Sequence, residues 1–344
     1  MTSLLNRVFD EIYVINMDRS TDRLEEIDGR LRRLGIKYQR ISAVEGSKLS
    51  YAEIRKETTL PSALFSTKGA IGCALSHKKA WKDAVVRNLN RVLILEDDVI
   101  LGETNFEERF QRSWEAIPSD WEIVNLGCIA GCGDRDKYSL FDWLISAPLL
   151  LQDLLMGRSK SRGRLNDLVT VPDVNCGSHA YAVTGSAARK MLAWLPVLPL
   201  PAHIDMLMSY RFGYRMKIYG ITDAMLFTQP LSSSQSCIVT PGSPHFGNLF
   251  MDKFKVNNRG IPAGWCLSEP IIRLGSLQVS GWRILWVLLG FMLGLPRVPY
   301  FAFAMLADDV FFIKSKHNVM QLTFDIFLFA LGAFTRELVV CQSN

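Results

Sequence analysis

The sequence predicts an α/β fold, a sheet flanked by helices. Three observations carry this. Residues 11–41 read as strand, helix, strand. Residues 68–99 read as a second helix-to-strand step. The apolar run Val92-Leu93-Ile94-Leu95 passes straight into Glu96-Asp97-Asp98. Alternating strands and helices of this kind give parallel pairs with right-handed crossovers.

Glu11 to Asn16 is the first expected strand. Ser20 caps a helix whose Leu24, Ile27, Leu31 and Leu34 share one face, and Gly35 ends it. Lys37 to Ile41 is the next strand. The turn after the first strand holds Asn16, Arg19 and Arg23. Two guanidinium groups beside a helix start suit an anionic or nucleotide ligand. The plain alternative is a solvated helix face paired with Asp22 or Glu26. No Gly-x-Gly-x-x-Gly occurs there, so a dinucleotide fingerprint is absent.

A short helix is expected around Tyr51 to Glu57, and a longer one from Lys68. Gly69 and its small neighbours allow that helix to pack closely on a sheet or a ligand. Ser76 and His77 are adjacent and do not share a helical face, which argues against a Ser–His nucleophile pair. The helix leads into Arg91–Val99. A short run of branched apolar residues reads as a buried strand. Its carboxylates then fall at the carboxyl end, where open α/β sheets bind ligands. Three adjacent anions repel unless a cation neutralises them, and a hard ion such as Mg²⁺ or Mn²⁺ prefers oxygen ligands. A solvated acidic loop is the bland alternative.

Beyond this, a helix is expected at 106–114, a strand at 121–127, and a glycine- and charge-rich loop to Tyr138. Residues 140–172 read as an insertion, apolar first and then basic at Arg158, Lys160, Arg162 and Arg164. Such a run either touches phosphate or lipid headgroups or is a solvated loop. Gly177–Thr184 reads as a strand and Gly185–Leu195 as a helix capped by Thr184. A stiff loop, Pro196 to Pro201, precedes a helix starting at His203. Asp205, near that helix start, is either a capping acid or a catalytic carboxylate facing a cleft. Two short strands (217–219 and 224–227) and a Ser/Pro/Gln-rich loop (228–247) follow.

The net charge of +5 and pI near 8.8 fit an anionic surface or a phosphate-bearing ligand. No basic run with interleaved aromatics suggests nucleic acid. The seven cysteines include no CxxC pair. Neither a zinc site nor a disulfide framework is expected, and a reducing compartment fits best. The N-terminus lacks the apolar core of a signal peptide. From about Leu274 the composition turns apolar. The uncharged run 284–296 is shorter than the roughly 20 residues needed to span a bilayer. Tryptophans beside arginines suit a membrane interface. Segment 274–340 is therefore expected to lie on a membrane, with packing on the core or on another copy of the chain as the second alternative and a true span as the third.

Several blocks together resemble glycosyltransferase family 25. They are Asn16-Met17-Asp18-Arg19-Ser20 with Arg23, Ala43-Val44-Glu45-Gly46, Gly69 to Trp81, and Leu95 to Val99. His179-Ala180-Tyr181 and Ile204-Asp205 match more weakly. Glu45 stands where the family has Asp. The resemblance implies a GT-A type Rossmann-like mixed sheet over 1–248. It offers no counterpart for 140–172 or for the tail, and the hydrophobic helical extension over 249–344 is read from composition. It implies an inverting transferase that moves a sugar, galactose first, from a UDP-sugar to a glycan or glycolipid acceptor such as lipopolysaccharide. Asp98 and Glu96 would hold the divalent metal (Mn or Mg), with Asp97 as ligand or support. Asn16, Arg19, Arg23, Gly69, Ser76, His77, Glu96 and Asp97 would bind the nucleotide-sugar. Asp205 is the expected base, with Asp173 and Asp223 competing. The expected setting is the cytoplasmic membrane face, and homo-oligomers are left open. Two rivals are another Mg²⁺-dependent phosphate enzyme and a non-catalytic carbohydrate-binding relative. The first would want a carboxylate pair after the first strand, where only Asp18 lies.

Overall fold

The structure is a computed structural model. It describes residues 3–60, 63, 66–102, 104–155, 162–195, 204–213, 215–230, 245–257, 260–268, 270–274, 277–311 and 319–343. The expected Pro196–Pro201 loop, Arg158, Lys160 and most of the loop after Thr228 lie outside the described residues. The chain divides into two compact units. One comprises Met1–Ala63, Lys68–Pro230 and Asn257–Arg259, and the other Leu64–Thr67, Leu231–Val256 and Gly260–Asn344.

The first unit is built on an eight-stranded mixed sheet of order β2-β1-β3-β8-β5-β9-β7-β6. The strands are β1 (Glu11–Asn16), β2 (Gln39–Ser42), β3 (Arg91–Glu96), β5 (Ile123–Asn125), β6 (Gly163–Arg164), β7 (Val169–Val171), β8 (Ala180–Thr184) and β9 (Ile218–Ile221); β4 (Ile100–Leu101) pairs elsewhere. β1 runs parallel to β2 and β3, whereas β8 is antiparallel to both its neighbours, β3 and β5.

Val92 to Leu95 are completely buried because both faces of β3 are covered. Leu93 and Leu95 pack with Ile27 and Leu31 of α2 (Thr21–Arg33). Val92 and Ile94 pack with Ala74, Ala80 and Trp81 of the helix Lys68–Val86. The chain leaves β1 for β2 on one side and returns to β3 on the other. That reversal opens a crevice at the carboxyl ends of β1 and β3. Ile15 pairs with Glu96 in register, so Asn16 and Glu96-Asp97-Asp98 meet at this crevice.

Within the expected insertion 140–172, a helix Leu140–Leu155 leads to β6 and β7 at the sheet edge. One expectation changes. Cys128 and Cys132 form a disulfide, against the expectation from spacing. Gly131, at φ 69°, turns the chain so that their Cα atoms lie 5.9 Å apart, within bridging range.

The second unit carries three apolar helices, Gly281–Leu293, Val298–Phe311 and Val319–Ser343. The first and third cross at Gly290 and Gly332. A Cβ on Gly290 would lie 1.9 Å from the Phe329 carbonyl oxygen, and one on Gly332 1.8 Å from that of Val287. Arg283 and Asp325 pair inside this contact at 2.7 Å, both buried. No single described helix is long and apolar enough to cross a membrane. The pair Gly281–Leu293 and Leu295–Asp308, bent by 118°, passes that test together.

Candidate active site

The three carboxylates leave β3 in succession and meet different partners. Glu96 Oε1 accepts from Ser178 Oγ at 2.8 Å and lies 3.3 Å from His77 Nε2. His77 Nδ1 lies 3.0 Å from the Tyr181 hydroxyl, which accepts from Trp81 Nε1 at 2.9 Å. Indole can only donate, so one arrangement satisfies every group. Trp81 donates to Tyr181, Tyr181 donates to His77 Nδ1, and His77 Nε2–H donates to Glu96. Burial drives the Tyr181 hydroxyl far above its ordinary pKa, so it keeps the proton it donates. Burial pushes Glu96 up, but the hydrogen bond from His77 leads a set of pulls that leaves it below its ordinary value.

Asp97 Oδ2 accepts from Asn16 Nδ2 at 2.8 Å, and Asp97 Oδ1 lies 3.0 Å from Arg23 Nη2. Burial raises Asp97 to about 6, against the pull of Arg23. Asp98 Oδ2 accepts from the same Arg23 nitrogen at 2.5 Å and from Gln229 Nε2 at 3.0 Å. Burial first, then the charge of Glu96, pushes Asp98 up. Asp98 Oδ1 is buried with no hydrogen-bond partner among the described residues. A buried carboxylate oxygen without a donor is costly, and a hard divalent cation is a fitting partner for it. The carboxylate oxygens of Asp97 and Asp98 are the ligand type that Mg²⁺ or Mn²⁺ prefers, and the bare Asp98 Oδ1 is open to such an ion.

A second group, Cys73, His77 and Glu96, offers ligand atoms within 4.8 Å of one another. A metal on His77 Nε2 would displace the proton that bridges to Glu96, so the relay competes with that site.

The other expected residues fall differently. Asn16 is buried and saturated: Nδ2 also donates to Ser20 O at 2.9 Å, and Oδ1 accepts from Arg40 Nε at 3.0 Å. It braces Asp97. Arg19 is exposed and pairs with Glu45 at 3.2 Å. Ser76 does not line a cleft. It is buried, donates to Gly72 O at 2.7 Å and accepts from Val44 N at 2.8 Å. Ser76 thus ties the Ala43–Gly46 block to the Lys68–Val86 helix, near whose start Gly69 sits. A Cβ on Gly46 would lie 1.8 Å from the Lys68 carbonyl oxygen, so that block requires glycine.

Asp205 Oδ2 accepts from Gly177 N at 2.9 Å, one residue before Ser178. Its two competitors are spent. Asp173 is gripped by Arg135 at 2.8 and 3.1 Å, and Asp223 by Arg109 at 2.6 and 2.9 Å. Asp18 is taken by Arg40 and Ser42, which leaves the phosphatase reading without its carboxylate. Sequence reasoning missed the parts of Tyr181, Trp81, Ser178, Arg40 and Gln229. One signal was available: His77 and Trp81 are four apart on one helix, hence on one face. His179 also belongs near this cluster. Its Nε2 sits 3.3 Å from the Phe227 carbonyl, and its Nδ1 is buried with no hydrogen-bond partner among the described residues.

Residues 9–208 match the sequence profile described as Glycosyltransferase family 25 (LPS biosynthesis protein). The chain belongs to glycosyltransferase family 25. Among curated relatives, the human protein named Inactive glycosyltransferase 25 family member 3 is 37% identical over 130 residues, covering 35% of this chain and 22% of that protein. Procollagen galactosyltransferase 2 of Mus musculus is 33% identical over 130 residues, covering 35% and 21%. The chain thus spans about a fifth of the length of these curated relatives. Among solved structures, a mannose-1-phosphate geranyltransferase from Thermus thermophilus aligns with 12% identity and TM-score 0.32, over 61% of this chain and 72% of that one. A likeness that low carries no argument.

Proposed function

We propose that this family 25 member is an inverting glycosyltransferase that moves galactose from UDP-galactose to a hydroxyl of a lipopolysaccharide-type glycan. The observation that carries the reading is the Glu96-Asp97-Asp98 cluster at the crevice between β1 and β3, with Asp98 Oδ1 buried and bare among the described residues. Glu96, expected as a metal ligand, is engaged by His77 and Ser178, so in this reading Asp98 and Asp97 would hold the divalent ion and Glu96 would stand beside it. Such an ion, when bound, compensates the charge of a diphosphate leaving group. The acceptor hydroxyl needs a base of its own. Asp205 is that base in this reading, and its bond to Gly177 also fixes the strap that presents Ser178 to Glu96.

A membrane face is the proposed setting, with a glycolipid acceptor; the Cys128–Cys132 disulfide removes the cysteine argument for the cytoplasmic side. Exposed Ile284, Leu288, Phe291, Tyr300 and Phe303 on the apolar helices support contact with lipid headgroups and acyl chains.

The test is UDP release from a panel of UDP-sugars, with and without Mn²⁺ and with an acceptor glycan. Metal-dependent release from one donor supports the reading and names the sugar. A second reading, a carbohydrate-binding relative without turnover, is favoured by relatives that carry the word inactive in their names. Donor binding by calorimetry with no release under any condition would select it.

A further inference from the structure

The carboxylate cluster already holds a cation, and that cation belongs to the chain. A single nitrogen, Arg23 Nη2, lies 3.0 Å from Asp97 Oδ1 and 2.5 Å from Asp98 Oδ2. It occupies the space between the two side chains that the proposed function assigns to a divalent ion. The other donors around it reinforce this state, Asn16 on Asp97 and Gln229 on Asp98. Arg23 comes from the first turn of α2, and its side chain is 29% exposed, so it has a route out of the cluster.

A guanidinium and a divalent ion compete at this pair of carboxylates, because two cations side by side in a buried cluster repel each other strongly. A guanidinium also binds phosphate readily, with a planar fork of donors that matches its oxygens. We propose that Arg23 is the resident counter-ion of the cluster, that it must release Asp97 and Asp98 before a divalent cation binds, and that the diphosphate of the donor receives it. This rests on the metal reading above and deepens it. The consequence is linkage. Metal alone must displace Arg23 with nothing to take it, so it binds weakly. Diphosphate and metal together each ease the other's entry, by the same factor in both directions.

The experiment uses the full chain, with Mn²⁺ and UDP as probes. Free Mn²⁺ is counted by electron paramagnetic resonance, with and without UDP, for the wild type and Arg23→Gln. In the wild type, UDP should tighten Mn²⁺ binding by about tenfold or more, within the usual range of coupling between sites. Arg23→Gln should bind Mn²⁺ alone about tenfold more tightly than the wild type, with the UDP effect reduced to about twofold or less. Unchanged or weaker binding of Mn²⁺ alone, or undiminished coupling, overturns the proposal.

A second measurement needs no variant and so does not depend on Arg23→Gln folding. Mn²⁺ should increase modification of Arg23 by phenylglyoxal in the wild type, read by peptide mass spectrometry, and UDP added with Mn²⁺ should suppress it. No change on adding Mn²⁺ overturns the proposal while leaving the metal reading intact. Absence of Mn²⁺ binding in every sample, with or without UDP, overturns both.

Discussion

Replacing Tyr181 by Phe removes one oxygen from the centre of the relay and leaves its ring in place. The hydroxyl accepts from Trp81 Nε1 at 2.9 Å and sits 3.0 Å from His77 Nδ1. Trp81, His77 and Tyr181 are all fully buried, so water does not replace the lost partner. The variant therefore strands two groups, an indole N–H and an imidazole nitrogen. A buried polar group left unpaired costs about 1–3 kcal/mol, so the two together should cost roughly 2–6 kcal/mol. Some relaxation of the surrounding side chains is expected, while the His77 Nε2–H to Glu96 bond keeps its tautomer. A loss of about 3 kcal/mol is the working figure. Urea unfolding followed by tryptophan fluorescence reads it, since Trp81 reports on its own surroundings. The midpoint should fall without a change in slope. A loss below about 0.5 kcal/mol would refute the reasoning, because it would mean that the hydroxyl bridges nothing of consequence.

The remaining predictions concern the site and its supports. Asp97, raised to about 6 by burial, holds a proton below that pH and loses it above. Mn²⁺ needs the ionised form, so its affinity measured by calorimetry should be flat above pH 7 and fall by about tenfold per unit below 6. Affinity that stays level down to pH 5 would contradict this. Gly46→Ala forces a Cβ onto the Lys68 carbonyl, a backbone atom, and should cost about 2 kcal/mol or more in thermal or urea unfolding. Flotation with anionic vesicles should recover the wild type, and Phe291→Asp with Phe303→Asp should reduce that recovery severalfold while the melting profile holds. Asp98→Asn should abolish donor-dependent UDP release, and the metal-free protein should melt at the same or a higher temperature.

The core of the first unit was legible because its strands are short apolar runs and its helices have one apolar face. Glu11–Asn16 and Arg91–Glu96 stand where periodicity put them. The ligand side of the sheet followed from placing Glu96-Asp97-Asp98 at the carboxyl end of a buried strand. What could not be read was pairing. Ala180-Tyr181-Ala182-Val183 reads as a strand just as β3 does, yet it enters the sheet antiparallel between β3 and β5. Strand direction is set by connections and tertiary packing, and no local residue type encodes it. The same limit hid Val169–Val171, whose burial comes from a neighbour fifty residues away in the chain, as with Thr170 and Gly220. Side-chain reach was the other blind spot. Arg23 and Asn16 were read as facing a nucleotide because they follow a strand, and nothing local showed that they also reach carboxylates. The fold turns both toward Asp97, seventy-four and eighty-one residues downstream.

The carboxylates themselves bear on whether this chain turns over a donor. Sequence identity does not separate the possibilities, since the human relative named inactive and the mouse galactosyltransferase match this chain at 37% and 33% over segments of equal length. Electrostatics can. Asp97 and Asp98 are both held above their ordinary pKa by burial, so each ionised carboxylate works against the folded state. Arg23 offsets part of that cost, and the bare Asp98 oxygen receives nothing among the described residues. An amide at position 98 would relieve the charge and keep an oxygen for Gln229. A protein whose crevice merely binds sugar would then gain stability and lose nothing. A protein that uses Asp98 to hold a metal would gain the same stability and lose its turnover. The informative result is thus the pair of measurements on Asp98→Asn, melting and UDP release, taken together. Stability retained with release abolished marks a residue kept for chemistry. Release at the wild-type rate removes Asp98 from the mechanism.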